Sequence, residues 1–510
     1  MKIILKSSLL ILIVSGLFLN QSCKENQEKK EVAEAFKKPN IIFFMVDDMG
    51  WVDSEVYGSE YYETPNITRL AKMGKRFTRA YAANALCSPT RASILSGKHP
   101  GRFSLTTPAG HLPPNPDAIL TKEKGAPWMK MACPGSRTFM PLEEFTIAEA
   151  LKTNGYTTAH IGKWHLGHEE YWPEKQGFDI NIGGGHHPGP PNFFSPYSIS
   201  TLPDKKDKEY ITDRITDEAL TFLENHQNEP FYLNFWQFAV HAPYQAPLDL
   251  IAKYDAKTDP RGKQNNPIMG GMIESMDQSL GRMLDKLEEL QLMENTIIVF
   301  FSDNGGNMYD VVDGEFPTNN YPLSFGKGNI HEGGIRVPCI VVWNDEIEAN
   351  TVSDEMIQSM DFYPTFLEVT ETKANPDQLL DGISLVETLK NDMPLERETI
   401  FSHFPHYMPV THNVPSTAVW HNNYKLIKEY GEGENRSDAL KLYDLKEDIG
   451  ETIDISLEHP KLVAKLSKML EDHVTEIGGL LPIKNPAYDP NVETKLGKTH
   501  DFPIDKYPSY

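Results

Sequence analysis

Apolar runs that stop abruptly at paired polar residues recur along this chain. Ile41-Ile42-Phe43-Phe44-Met45-Val46 ends at Asp47-Asp48, and Thr296-Ile297-Ile298-Val299-Phe300-Phe301 ends just before Asp303-Asn304-Gly305-Gly306. Runs apolar on both pleat faces predict central strands of a mostly parallel sheet, here with carboxylates at their C-terminal ends. Tyr156 to Ile161 and Pro230 to Val240 predict two more strands. Between them the period becomes helical. Thr64-Pro65 opens a helix with Thr as N-cap and Pro in the first turn. Thr146-Ile147-Ala148-Glu149 has the form of a capping box, and Asn154-Gly155 closes that helix. Ile211 to His226 is amphipathic, and Ile268 to Leu290 repeats apolar residues at helical spacing. Such alternation predicts an open α/β sheet flanked by helices, with its ligand site outside the strand C-ends. After about residue 375 the pattern changes. Tyr424 to Ile427 and Leu440 to Leu445 predict short antiparallel strands, and Pro460 to Val474 a helix packed on them. The expected organisation is a large domain over 38–375 and a smaller α+β subdomain over 376–510, without internal repeats.

Composition adds exclusions. The 510 residues carry a formal net charge of −23, which argues against a nucleic-acid partner because phosphate binding needs a basic surface. An anionic substrate would need a locally basic pocket inside this acidic shell. Four cysteines are too few for a disulfide scaffold. Cys339 lies in the apolar run Val337 to Trp343 and is expected in the core. Cys133 has no functional reading, and a Cys133–Cys339 bridge stays open.

Several short segments carry candidate chemistry. Asp47, Asp48, Asp303 and Asn304 offer four hard oxygen ligands from two strand ends, which suits Ca²⁺. Cys87 begins the run Cys87-Ser88-Pro89-Thr90-Arg91-Ala92-Ser93-Ile94-Leu95-Ser96-Gly97. Gly155-Tyr156-Thr157-Thr158-Ala159-His160-Ile161-Gly162-Lys163-Trp164-His165 supplies a cation and a base that titrates near neutrality. His241-Ala242-Pro243-Tyr244 follows a strand, and Gly326-Lys327-Gly328 leads into Glu332-Gly333-Gly334-Ile335-Arg336-Val337-Pro338. Taken singly, each of these segments is more often structural than functional.

Together, and in this order, they resemble the type I sulfatases of the alkaline-phosphatase-like superfamily. Cys-x-Pro-x-Arg is that family's modification signature; the one departure is Ser96, where Thr is usual. The resemblance implies that Cys87 is oxidised to formylglycine by a formylglycine-generating enzyme or an anaerobic maturase. It implies one Ca²⁺ per chain on Asp47, Asp48, position 87, Asp303 and Asn304. Arg91 would hold the aldehyde hydrate, Asp303 would take its proton, and Lys163 and Lys327 would bind the sulfate oxygens. His241, also in contact with substrate, would be the general acid at the leaving oxygen, and His165 the base that regenerates the aldehyde. Two competing readings are a phosphodiesterase or phosphonate monoester hydrolase of the same superfamily, and a glycan-binding protein that has lost activity. Retention of every polar group just named speaks against the second.

The N-terminus predicts export. Lys2 and Lys6 precede the apolar stretch Leu9 to Leu19, and Cys23 follows at cleavage distance. This resembles a bacterial lipoprotein signal over 1–22, with Cys23 lipidated and 23–37 a charged tether. Leu19 stands one residue too early for the usual box, and plain secretion is the alternative. The expected location is the periplasm or the outer membrane, with membrane contact only through that lipid. Export points to a sulfated carbohydrate substrate, an algal polysaccharide ahead of a glycosaminoglycan. Its candidate contacts are His186 and His187 in the irregular loop Gly183 to Gly189, and His403 and His406 in Ser402 to Tyr407.

Overall fold

The structure, a computed structural model, describes residues 38–115, 120, 122–497 and 500–502. The expected signal, tether and Cys23 lie outside them. A nine-stranded mixed sheet runs through the molecule. Its strands are β1 (Asn40–Val46), β2 (Lys75–Tyr81), β3 (Thr157–Gly162), β4 (Ile180–Ile182), β5 (Phe231–Trp236), β6 (Thr296–Ser302), β7 (Arg336–Trp343), β8 (Thr351–Ser353) and β9 (Ile357–Gln358). Across the sheet the order is β8-β2-β7-β6-β1-β5-β3-β4, with β9 also beside β2. β7 runs antiparallel to both its neighbours, and the other pairs are parallel.

Alternation along β1 shows why the sheet is buried on both sides. Ile41, Phe43 and Met45 enter one hydrophobic core, while Ile42, Phe44 and Val46 enter the other. In the first core Phe43 meets Trp236, Phe301, Phe362 and Phe366 edge-on, at centroid separations of 5.1–6.4 Å. Helix α1 (Pro65–Met73) follows Thr64, whose hydroxyl accepts from the backbone of Glu55 rather than capping the helix. Helix α2 is Cys87–Ser96, and α3 (Ile147–Thr153) carries the expected capping box, Thr146 and Glu149 each accepting from the other's backbone N–H. Helices α4 (Ile211–Asn225) and α5 (Pro267–Glu289) pack together beneath the second core.

The strand expected over Pro230–Val240 stops at Trp236. Beyond it the chain is captured by the end of β1: Gln237 N donates to Met45 O, and Asp47 and Val240 exchange backbone bonds through Ala239 O and Asp47 O.

The C-terminal segment builds a four-stranded antiparallel sheet, β10 (Thr399–Phe404), β11 (Ser416–His421), β12 (Tyr424–Glu429) and β13 (Ala439–Asp444). Val419, Leu426 and Leu442 pack under helix α6 (Pro460–Glu476), against Leu466, Leu470 and Val474. Ala418, Trp420 and Ile427, from the opposite face, join the core of the large sheet. Buried Glu332 ties the two sheets, accepting from Trp420 Nε1 at 2.7 Å and Lys425 Nζ at 3.1 Å. The described residues from Asn40 onward accordingly cluster as one compact unit. Cys133 and Cys339 are free thiols, so the bridge left open above does not form. No helix among the described residues is long and apolar enough to cross a membrane.

Candidate active site

Four neighbouring strands deliver their C-terminal ends to one place. β6 and β1 lie in parallel register with Val46 opposite Ser302, so Asp47-Asp48 and Asp303-Asn304 emerge side by side. β5 and β3 continue the row with Met45, Trp236 and Gly162 level, bringing the segment that carries His241 and then Lys163 alongside. Gly162 is needed there: its φ is +110°, and a Cβ would lie 1.8 Å from Trp236 O.

The result is a fully buried nest of charge. Ligand atoms of Asp47, Asp48, Cys87 and Asp303 all lie within 4.8 Å of one another. Three cations face these three carboxylates. Lys163 Nζ is 2.6 Å from Asp47, and Lys327 Nζ is 2.7 Å from Asp48. Arg91 places Nε and Nη2 at 2.9 and 2.8 Å from Asp303 Oδ2, and Nη1 on Lys163 O at 2.7 Å. The formal charge of the six groups is therefore zero. Two carboxylates titrate in opposite directions. Burial, with Asp303 and Asp48 adding to it, raises the Asp47 carboxyl. Burial also works to raise Asp48, yet Lys327, His241 and Lys163 hold it well below the usual carboxylate range. Burial works upward on Asp303 too, and Arg91 with Lys163 outweighs it.

The donor set fits a hard divalent cation. Asp47 Oδ1 and Asn304 Oδ1 are buried without a hydrogen-bond donor, and Arg91 Nη2 approaches the former only to 3.6 Å. Three carboxylates and an amide oxygen make an oxygen-only cradle of the kind such ions prefer.

Cys87 is the first residue of α2, and its Sγ lies 4.0 Å from Asp48 Oδ1. Burial pushes its thiol up to about 12 despite Lys163 and Lys327, so an unmodified Cys87 is a protonated, weak nucleophile. All ten residues of α2 are buried. Ser96 donates to Ala92 O at 2.8 Å, a bond a Thr hydroxyl would make equally, so the departure at that position changes nothing visible. Lys327 is pinned between two parts of the site, by Lys327 N on Gly306 O and Gly328 N on Ala85 O.

The two site histidines are both neutral. Burial and Lys327 depress His241 to about 3. Its Nδ1 is 2.7 Å from Ala242 O, and its Nε2 is 3.7 Å from Asp48 Oδ2. His165 is held well below its ordinary value by burial, then Lys163. It sits in the left-handed region at φ +61°, held by His165 N on Gly185 O and by Ser88 Oγ on His165 O. Its Nε2 meets His111 Nδ1 at 3.3 Å. His111 and Ser88 are site neighbours that sequence reasoning missed; the Pro- and Gly-containing segment around His111 has no periodic pattern to place it.

The structure divides the four candidate substrate histidines. Loop Gly183–Gly189 runs between the two catalytic-type histidines: Gly185 binds His165, and a Cβ on Gly189 would come within 2.5 Å of His241 Nδ1. His186 and His187 on that loop are half-buried, and His186 stacks on His168 at 4.4 Å. His403 and His406 are different. His403 is fully buried in β10, with Nδ1 on Thr417 Oγ1 at 2.7 Å and Nε2 on Leu480 O at 3.1 Å. His406 is buried and bonds Thr106 Oγ1 at 2.7 Å. Both rings are committed to internal contacts, so neither faces a substrate as the sequence suggested. His403 is covered by the distant segment that carries Leu480, and no local signal marks that.

An open α/β sheet with a buried, charge-balanced nest at its strand ends defines a hydrolase-type site for an anionic group. The comparisons give it a family. The sulfatase family model matches residues 39–372, and a second model, described as the C-terminal part of N-sulphoglucosamine sulphohydrolase, matches 323–477. A sulfatase of Formosa agariphila is 31% identical, covering 88% of this chain and 89% of its own length. Mouse N-acetylgalactosamine-6-sulfatase is 31% identical over 76% of this chain and 73% of its own. The crystal structure of Ps i-CgsB superposes with a TM-score of 0.70 at 27% identity, covering 86% of this chain and 93% of that one. This chain belongs to the sulfatase family and is a sulfuric ester hydrolase.

Proposed function

We propose that this sulfatase is exported and removes sulfate from a polysaccharide or oligosaccharide, using formylglycine at position 87 and one Ca²⁺. The observation that carries this reading is the charge-balanced nest around Cys87, whose own thiol is too weakly acidic to act. Asp47, Asp48, Asp303 and Asn304 would hold the cation beside position 87. Formylglycine supplies an aldehyde hydrate as nucleophile, and the cation supplies Lewis acidity.

The chain's own residues do the rest. Arg91 is locked by Asp303, Lys163 O and the Trp236 ring, 5.3 Å away, so it holds its charge beside position 87 without moving. Lys163 and Lys327, now on Asp47 and Asp48, are the two cations able to turn to an incoming sulfate and stabilise its spreading charge. His241 Nε2 faces the same space and would give a proton to the leaving oxygen once an anionic ester offsets Lys327. Neutral His165 can accept a proton in the later step, and Asp303, kept ionised by Arg91, in the first.

A glycan substrate is supported by loop Gly183–Gly189, which touches His165 through Gly185 and His241 through Gly189 and carries half-buried His186 and His187. It is also supported by the relatives: Ps i-CgsB has been solved in complex with k-i-k-neocarrahexaose, and the mouse relative is named for a sulfated amino sugar. We place a sulfated algal polysaccharide ahead of a glycosaminoglycan. Export and anchoring rest on the N-terminal sequence, and Cys23→Ala should release the protein from the membrane fraction. The decisive test is sulfate release from a panel of sulfated oligosaccharides, with mass spectrometry of the peptide containing residue 87. An active preparation carrying only the thiol would sink the formylglycine assignment; turnover of aryl sulfates but of no glycan would sink the substrate class.

A further inference from the structure

A second cavity, of about 470 Å³, lies between the C-terminal tail and the segment around Trp128. Trp128, Tyr407 and Tyr488 line it with rings, and Lys130, Glu432 and Glu493 with charge. We propose that this cavity is a binding subsite for an uncharged sugar unit of the substrate chain, remote from the sulfate being removed. The proposal rests on the glycan reading above and extends it to a site that reads the polymer rather than the ester.

The cavity is built, not a gap between loose segments. Ile483–Lys484 pairs with Met131–Ala132 as an antiparallel ladder. Asn485 donates to Ala126 O and Met129 O at 2.9 and 2.8 Å and accepts from Gly125 N at 3.1 Å. Asp489 N bonds Pro127 O at 2.8 Å, which fixes the tail across the Trp128 turn. On the other wall Gly431, at φ +74°, lets its turn close on Met131, where a Cβ would meet Sδ at 2.4 Å. Lys130 pairs with Glu432 there. The rings are held too. Trp128 and Tyr407 meet edge-on at 5.2 Å, Tyr407 Oη accepts from Met131 N at 3.2 Å, and Arg436 lies over Tyr488 at 5.5 Å. A wall fixed in advance loses little entropy on binding.

The chemistry selects the ligand. A pyranose presents an apolar C–H face and a rim of hydroxyls. Aromatic rings suit the face, and Lys130 and the glutamates suit the rim as donor and acceptors. The three lining charges sum to −1 and Arg436 over Tyr488 balances them, so no net positive charge selects a sulfated or uronic unit and a neutral one is accepted. A packing contact between the Tyr407 segment and the Lys327 loop points to the same chain as occupant. Tyr407 adjoins Met408, whose Cγ would lie 3.0 Å from a Cβ on Gly328, next to Lys327.

The test has two arms. In the first, the full chain runs through gels containing desulfated carrageenan or desulfated chondroitin, beside Tyr488→Ala and Trp128→Phe. Retardation of the native protein in at least one gel, lost in Tyr488→Ala, is expected; no retardation in either gel overturns the subsite. This arm needs no sulfatase activity, so it separates failure of the subsite from failure of the substrate reading. In the second, kcat/KM is measured on sulfated carrageenan and chondroitin oligosaccharides from disaccharide to octasaccharide. The native enzyme should gain at least tenfold with length on the glycan it cleaves. Tyr488→Ala should lose that gain through KM, with disaccharide and aryl sulfate turnover unchanged. A length gain retained in both variants, or no gain in the native enzyme, overturns the proposal; equal losses on long and short substrates would mark Tyr488 as structural and overturn it as well.

Discussion

Arg91 is the residue whose removal tests the charge balance most directly. Its guanidinium has no exposure, two of its nitrogens hold Asp303, a third holds Lys163 O, and its plane lies over Trp236. Arg91→Ala leaves three buried carboxylates facing two cations. Among the described residues the Asp303 carboxylate then keeps only its bond from Asp48 N at 3.2 Å. Removing one partner of a buried pair costs about 3–5 kcal/mol, because the other charge stays buried and unpaired. With about 2 cal/mol/K of unfolding entropy per residue, a chain this long should lose about 4 °C in Tm for about 4 kcal/mol. Calorimetry in chelator should show that loss. Calcium should restore part of it, since a dication bound only by the folded state replaces the missing charge. Arg91→Lys should fall between, with the charge present but the two-pronged contact gone. Sulfate release should be abolished in Arg91→Ala. A variant that unfolds with the native protein in chelator would refute the claim that these six groups balance one another.

Three further outcomes are expected. Asp48→Asn should lose calcium binding and activity together, and in the native enzyme chelation should abolish sulfate release and calcium restore it; activity surviving thorough chelation would remove the metal from the site. His403 is depressed to about 4 by burial, against the pull of Leu480 O, so its folded value lies below the unfolded one near 6.5. Its contribution is complete well above pH 6.5 and declines as pH falls towards 4, by about 1.6 kcal/mol between pH 6.5 and 5; urea unfolding of His403→Gln should show a pH dependence weaker by that amount, and an equal dependence would contradict the buried neutral ring. His186→Ala should reduce glycan turnover about tenfold more than aryl sulfate turnover, because contacts to the remote sugar exist only for the larger substrate; equal losses would move His186 into the chemistry or the fold.

Local pattern was enough for the parts of this protein that are local. The runs Ile41–Val46 and Ile297–Phe301 are apolar at every position, which only a strand buried on both faces tolerates, and both strands lie where the runs do. The capping box at Thr146 and Glu149 closes within four residues, so its bonds follow from the sequence alone. The order Cys87, Arg91, Lys163, His165, His241, Asp303, Lys327 was legible for the same reason, each motif being short and self-contained. Its convergence was not. That depends on β6, β1, β5 and β3 being neighbours, a matter of pairing between segments as much as 256 residues apart, as Val46 opposite Ser302 shows. Tertiary packing alone decided that His403 turns inward, that His111 reaches His165, and that a tail near residue 488 roofs Trp128. Each is a contact between distant segments, and burial and side-chain direction at such contacts are set by what the other segment brings.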